Sequence, residues 1–173
     1  MIKDKKRYVA DFETTTNPED CRVWCFSITE IGNEKNTYIG KDIEEFFKYI
    51  KTLGSCIIYF HNLAFDGQFL IYYLLTHDYS HTTEQKLKTK EFSSLISDDG
   101  VFYSLKVKLE RYQTIEFYDS LKKLPFSVKK IAKDFDLPEQ KGEIDYDKER
   151  PIGYELDEEE REYVTNDTVI VSK

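Results

Sequence analysis

Residues 55–75 constrain the fold more than any other stretch. Residues 55–61 (SCIIYFH) form a continuous apolar run of strand length, the composition of a strand buried on both faces. Asn62-Leu63-Ala64-Phe65-Asp66-Gly67 follows and reads as a turn, and residues 68–75 read as a helix. Strand, turn and helix in that order make a crossover unit, which belongs to a sheet with parallel strands and helices packed on it. The expected fold class is therefore α/β.

The flanking segments fit such a sheet. Residues 6–12 read as a first strand. Residues 21–31 (CRVWCFSITEI) read as a second, joined by the polar turn Gly32-Asn33-Glu34 to a third over 36–39, a hairpin pattern. Asp42 opens a helix with Ile43, Phe46, Phe47 and Ile50 on one face and Glu44, Glu45, Lys48 and Lys51 on the other; Gly54 ends it. Residues 77–90 are polar and read as a loop. Strands are expected over 92–97, 101–109 and 114–119, and Asp98-Asp99-Gly100 supplies a hairpin turn between the first two. Residues 121–126 connect through Pro125 to Ser127, which caps a helix over 128–135 with Val128, Ile131, Ala132 and Phe135 as its apolar stripe. Residues 137–154 make a loop long enough to expect a task. Asp157, followed by three glutamates, opens a last helix carrying Tyr163 and Asp167. No boundary interrupts the chain, so 1–173 is expected to be a single domain.

The acids are gathered at the ends of these elements. Asp11 and Glu13 lie two apart at the end of the first strand and so project to the same side. Two carboxylates about 4 Å apart repel by roughly 1 to 4 kcal/mol, depending on the local dielectric. A fold tolerates that where a hydroxyl network, a proton or a cation sits between them. Asp66 stands where the crossover helix begins, at the carboxyl end of an inner strand, where active sites of open α/β sheets gather. Tyr163 and Asp167 are four apart and share a helix face. Singly, each has a plain reading: Asp66 as a helix cap, Tyr163 as core, Asp167 as a solvated helix acid, Asp11 and Glu13 as a strand-end turn. Their joint occurrence, in order, makes the case for a site.

In that order the residues resemble the 3'-5' proofreading exonuclease domain of family B DNA polymerases, and within it the protein-primed phage replicases, the phi29-like group. Asp11-Phe12-Glu13-Thr14-Thr15 matches the first exonuclease motif, Tyr59 through Gly67 (YFHNLAFDG) the second, and Tyr163-Val164-Thr165-Asn166-Asp167 the third. Two longer blocks resemble the protein-primed group in particular: YDSLKKLPF at 118–126 with VKKIAKDF at 128–135, and Lys141-Gly142 through Asp145-Tyr146 to Lys148-Glu149-Arg150-Pro151. The resemblance spans nearly the whole chain.

It implies a ribonuclease-H-like fold: a mixed sheet flanked by helices, with the extra β-hairpin region. It also implies a 3'-5' exodeoxyribonuclease using two Mg2+ (or Mn2+) ions about 4 Å apart to stabilise the attacking and leaving oxygens of an in-line displacement. By the same resemblance Asp11 bridges both ions, Glu13 and Asp167 complete the first, and Asp66 holds the second largely through water. Tyr163 orients the attacking water and Lys141 offsets developing charge near the scissile phosphate. Thr14, His61, Asn62, Phe65, Ser120, Leu121 and Tyr146 match residues that grip the last nucleotides of a single-stranded 3' end. Phe65 and Leu121 suit sequence-tolerant stacking or wedging, and Asn62 suits donation to sugar or phosphate oxygens. The implied partners are a single-stranded DNA 3' end, the palm, fingers and thumb of a polymerase, and a terminal-protein primer. No counterpart of the polymerase body is present, and the chain stops six residues after Asp167, so the last helix is expected to be cut short. Two other readings stay open: a catalytically silent module that binds single-stranded DNA, and a relative acting on RNA, since nothing here reads a 2'-hydroxyl unambiguously.

Composition agrees with an acidic site better than with a nucleic-acid coat. The net charge is -8, and the chain carries 13 Tyr and 12 Phe, a packed rather than disordered composition. Five lysines fall within residues 122–133 and are candidates for tracking phosphates. Cys21, Cys25 and Cys56 are odd in number, lack zinc-type spacing and read as free thiols in a reducing compartment. No apolar run reaches membrane length, so a cytoplasmic location without a membrane partner is expected.

Overall fold

The computed structural model describes residues 5–173. Eight strands form one sheet in the order β3-β2-β1-β4-β8-β7-β6-β5. The strands are β1 (Lys6–Thr14), β2 (Val23–Glu30), β3 (Asn33–Gly40), β4 (Cys56–Phe60), β5 (Ser80–His81), β6 (Glu91–Ile96), β7 (Phe102–Glu110) and β8 (Gln113–Asp119). The helices are α1 (Ile43–Thr52), α2 (Leu63–Thr76), α3 (Val128–Asp134) and α4 (Glu158–Ser172). β1, β4 and β8 run parallel at the centre. The β1–β2, β2–β3, β6–β7 and β7–β8 pairs are antiparallel, so the sheet is mixed.

The parallel centre positions the site. The carboxyl ends of β1, β4 and β8 lie together, because Ala10 pairs with Phe60 and Phe60 with Asp119. Strand alternation then sorts the β1 side chains. Tyr8, Ala10 and Phe12 enter the main core with residues of α1 and α2. Asp11 and Glu13 face the opposite side, where α4 packs on β1, β2 and β3. Phe12 holds this end of the strand by edge-to-face contacts with Phe46 at 4.9 Å and Phe60 at 5.0 Å, each worth about 0.5–1.5 kcal/mol beyond burial.

α4 is docked by hydroxyls as well as by apolar contacts. Ser27 Oγ donates to the Val164 carbonyl at 2.6 Å, and Thr29 Oγ1 meets Thr168 Oγ1 at 2.8 Å. A capping box starts the helix, with Asp157 Oδ1 accepting from Glu160 N–H and Glu160 Oε2 from Asp157 N–H. Ser127 likewise caps α3, its hydroxyl accepting from Lys130 N–H.

Three expectations are corrected. α2 begins at Leu63, five residues before the expected start, because Gly67 is no helix breaker here. A Cβ at Gly67 would stand 3.1 Å from the Phe102 ring, so the glycine marks close helix–sheet packing inside the first turns of α2. The second strand is trimmed to β2, and β3 starts at Asn33, directly after a tight turn at Ile31-Gly32 in which Gly32 has φ +82°. The 77–90 segment is not all loop: Ser80–His81 pairs in parallel with Glu91–Phe92 through backbone bonds that no hydrophobic pattern announces. The three cysteines are free thiols, as expected.

Gly40 is sterically required at the end of β3. A Cβ there would lie inside the van der Waals envelope of the fully buried Phe26 ring. Gly40→Ala is expected to lower stability by about 1–3 kcal/mol in a denaturant titration, with an unchanged midpoint as the contrary result.

Candidate active site

A cleft of about 500 Å³ opens at the carboxyl ends of the parallel strands. Its floor is acidic. Asp11, Glu13 and Asp167 each present a carboxylate oxygen within 4.8 Å of the other two. Asp11 and Glu13 come from the end of β1, and Asp167 comes from α4. Glu13 is 7% exposed, Asp66 2% and Asp167 5%. Asp167 is therefore no solvated helix acid, and α4 extends a full turn beyond it, to Ser172.

Asp66 lines the same cleft but stands apart from this trio. It is the fourth residue of α2 and not the cap before it, which overturns both the expected helix start and the plain reading of Asp66 as a cap. Its Oδ1 accepts from the Phe12 N–H at 3.1 Å, which ties the start of α2 to the residue between Asp11 and Glu13.

Burial and mutual repulsion raise the carboxyls of these acids above their ordinary range. Desolvation, then the Asp167 charge, pushes the Asp11 carboxyl up to about 7. Desolvation, then Asp11, pushes Glu13 up to about 8. Asp66 is also raised, by burial and then by Asp11. At Asp167 burial outweighs an ion pair in which Lys141 Nζ donates to Oδ2 at 2.7 Å. The other oxygen, Asp167 Oδ1, is buried without a hydrogen-bond partner. A buried acceptor left unpaired costs about 1–3 kcal/mol. An orphaned oxygen beside two further carboxylates fits a hard divalent cation, which takes oxygen ligands.

Lys141 and Tyr146 reach the cleft from the 137–154 loop. The Tyr146 and Tyr163 hydroxyls are 2.9 Å apart, and the Lys141 ammonium lies 5.5 Å from the Tyr163 ring centre. Tyr163 fits the core reading and the site reading together. The residue is 4% exposed and clusters with Trp24, Cys25 and Val164, yet it also lines the cleft. Burial, then Glu13, raises its phenol well above the ordinary range, so the hydroxyl keeps its proton.

Further lining comes from the end of β1, at Thr14, and from the β4–α2 junction, at His61, Asn62 and Phe65. Phe65 is 47% exposed, more than a core ring would be. Asn62 adopts the left-handed conformation at φ 82°, which asparagine tolerates better than most side chains. The carbonyl of Phe126 can only accept, so His61 Nε2, 2.7 Å away, carries a hydrogen. His61 Nδ1 faces Ser120 Oγ at 3.0 Å. Ser120 and Leu121 do not line the cleft itself; Ser120 is buried behind His61 and Leu121 lies in the 3-10 turn Ser120–Lys122.

Two supporting residues escaped sequence reasoning. Asp119 Oδ1 accepts from both Asn62 N–H at 3.1 Å and Leu121 N–H at 2.9 Å, joining the ends of β4 and β8. Its signal was available: an aspartate closing an expected strand just before a serine is a capping position. Thr16 Oγ1 donates to the Tyr146 carbonyl at 3.3 Å, a contact across 130 residues that no local pattern could announce.

Residues 52–173 match the family model described as DNA polymerase type B, organellar and viral. The DNA polymerase of Bacillus phage M2 is 44% identical over 173 residues, and that of Bacillus phage phi29 is 41% identical over 174; each alignment covers 98% of this chain and 30% of the relative. The DNA polymerase of Streptococcus phage Cp-1 is 35% identical over 157 residues, covering 83% of this chain and 26% of that protein. The chain thus spans under a third of these relatives. Phi29 DNA polymerase complexed with single-stranded DNA superposes with a TM-score of 0.89 at 40% identity, covering 98% of this chain and 30% of that one. Its complex with primer-template DNA superposes equally well. The mixed sheet with flanking helices is the ribonuclease-H-like fold that the motifs implied. Among the described residues no helix is long and apolar enough to cross a membrane.

Proposed function

The chain belongs to the organellar and viral type B DNA polymerases, and from that premise we propose that it is a 3'-5' exonuclease domain that removes nucleotides from a single-stranded DNA 3' end. The observation that carries the reading is the acidic cluster itself: three converging carboxylates, a fourth on the adjoining helix start, and a buried orphan oxygen. A purely structural role leaves that arrangement unexplained, because it costs stability.

In this reading Asp11, Glu13, Asp66 and Asp167 hold Mg2+ or Mn2+, which when bound offsets the charge developing on the phosphate and its attacking and leaving oxygens. The chain's own groups do the rest. Tyr163, kept protonated, donates a hydrogen bond that orients the attacking water. Lys141 supplies a fixed positive charge beside the reacting phosphate. Asn62 donates to sugar or phosphate oxygens, Phe65 offers an exposed ring for stacking, and Thr14, His61 and Tyr146 complete the grip on the last nucleotides. Ser120 orients the His61 ring, and Leu121 wedges beside the strand. The remaining length of the relatives suggests a polymerase body as the domain's partner, with a terminal-protein primer as a partner of the whole and the host-cell cytoplasm as its location. A single domain over 1–173 is part of this proposal.

The test is release of nucleoside monophosphates from an oligonucleotide with a free 3' hydroxyl. Release should need Mg2+ or Mn2+ and stop with a chelator. Equal release with and without chelator would sink the reading. A matched RNA oligonucleotide in a parallel arm decides the sugar, and binding without turnover at millimolar Mn2+ would favour a silent binding module.

A further inference from the structure

The 137–154 loop lies along α4 as a strap, antiparallel to it, and meets the helix at successive turns. Glu160 contacts Arg150 and Lys148, Tyr163 contacts Tyr146, and Asp167 contacts Lys141. Positions 160, 163 and 167 share one helix face, so the three rungs stack in line. The last two rungs are the site already described. The first lies outside it and has no chemistry to perform.

Its Arg150–Glu160 pair is also the most enclosed of the strap's ion pairs with α4. The Arg150 and Glu160 side chains are 4% and 6% exposed, whereas that of Lys141 is 30% exposed. Arg150 Nη2 donates to Glu160 Oε1 at 3.0 Å, and Tyr154 Oη donates to the other oxygen, Oε2, at 2.7 Å. The Arg150 guanidinium lies 4.2 Å from the Trp24 ring centre, and its carbonyl accepts from the Arg22 guanidinium. The pair therefore ties three separate elements: strap, α4 and β2. Burying two charges brings little net stability, since apolar residues of the same volume often do as well, but removing Arg150 leaves the buried Glu160 carboxylate with only the more exposed Lys148 and the Tyr154 hydroxyl as partners.

We propose that Arg150 and Glu160 are positioning residues whose pairing clamps the strap, and through it holds Tyr146 and Lys141 against Tyr163 and Asp167. This rests on the hydrolytic reading of the cleft for its effect on rate, though not for its effect on the strap. Displacement of a positioned group by about 1 Å can cost on the order of a hundredfold in rate.

The test compares Arg150→Met with the native domain, and with Gln113→Ala as a control. Gln113 is buried, and its amide donates to the carbonyls of Ile50 and Gly54, far in sequence from the strap. Arg150→Met should raise amide hydrogen exchange across residues 140–147 and shift the emission of Trp24, the chain's single tryptophan, while far-UV circular dichroism stays native. It should also lower kcat for nucleotide release by about tenfold or more. Tyr146→Phe should slow the native domain but add nothing in the Arg150→Met background, because Tyr146 is already displaced. Native exchange at 140–147 in Arg150→Met would overturn the clamp, as would equal costs of Tyr146→Phe in both backgrounds. The same exchange increase in Gln113→Ala would reduce it to general destabilisation. If the native domain releases no nucleotide but Arg150→Met still frees residues 140–147, the clamp stands and the hydrolytic reading falls.

Discussion

Asp11→Asn combined with Asp66→Asn is expected to abolish nucleotide release while making the metal-free protein more stable. Both effects have one cause. The acids are crowded and desolvated, so their charges oppose folding and are useful only once a cation binds. Losing ligands for ions that contribute several kcal/mol of charge stabilisation should lower the rate by about a thousandfold or more. Asparagine preserves shape, and its carbonyl can still accept from the Phe12 N–H at position 66. Mononucleotide release measures the first effect, and the thermal midpoint in chelator at pH 8 measures the second. Turnover surviving in the double variant would place the chemistry elsewhere. A fall in the midpoint would mean that the acids serve the fold.

The second large effect is a pH dependence that divalent metal reverses. In the folded chain Asp11 titrates at about 7 and Glu13 at about 8, against ordinary values of 3.8 and 4.5. Between about pH 4 and 8 the folded state thus binds more protons than the unfolded one. By linkage, stability conferred by these groups is full below their ordinary values and is lost as pH rises through 7 to 8. The chelated domain should melt lower at pH 8.5 than at pH 5.5, and Asp11→Asn with Glu13→Gln should flatten the difference. Mn2+ binds the deprotonated carboxylates, so it should stabilise most at high pH. At a hundred times its Kd the gain is about 2.7 kcal/mol. For a domain of this size that corresponds to a rise of about 5 to 10 °C. Calorimetry at the two pH values, with and without Mn2+, checks both signs. Indifference to Mn2+ at pH 8.5 would remove the cation from this cluster.

Much of the fold was legible because local rules and tertiary packing agree. The alternation in β1, the amphipathic stripe of α1, and the caps at Asp42, Ser127 and Asp157 all formed where side-chain pattern put them. The misreadings share a reason. Gly67 reads locally as the end of a turn, yet it serves a close approach to Phe102, a contact 35 positions away. Ser80–His81 is held in the sheet by backbone bonds to a neighbour, which leave no mark on its own side chains.

For the site, sequence alone determined which residues were candidates: a same-side pair at a strand end, an acid after the crossover strand, and a tyrosine and aspartate one turn apart. Those follow from the periods of strand and helix, which are properties of the local backbone. Only the tertiary structure decided that Asp167 comes within reach of Asp11 and Glu13, that Asp66 stands just apart, and that one oxygen of Asp167 is left without a partner. It also decided that Lys141 and Tyr146 reach the same cleft along a strap clamped by Arg150 and Glu160. Charge repulsion, burial and an unpaired acceptor depend on distances between segments far apart in the chain, and those distances exist only after α4 has docked on the sheet.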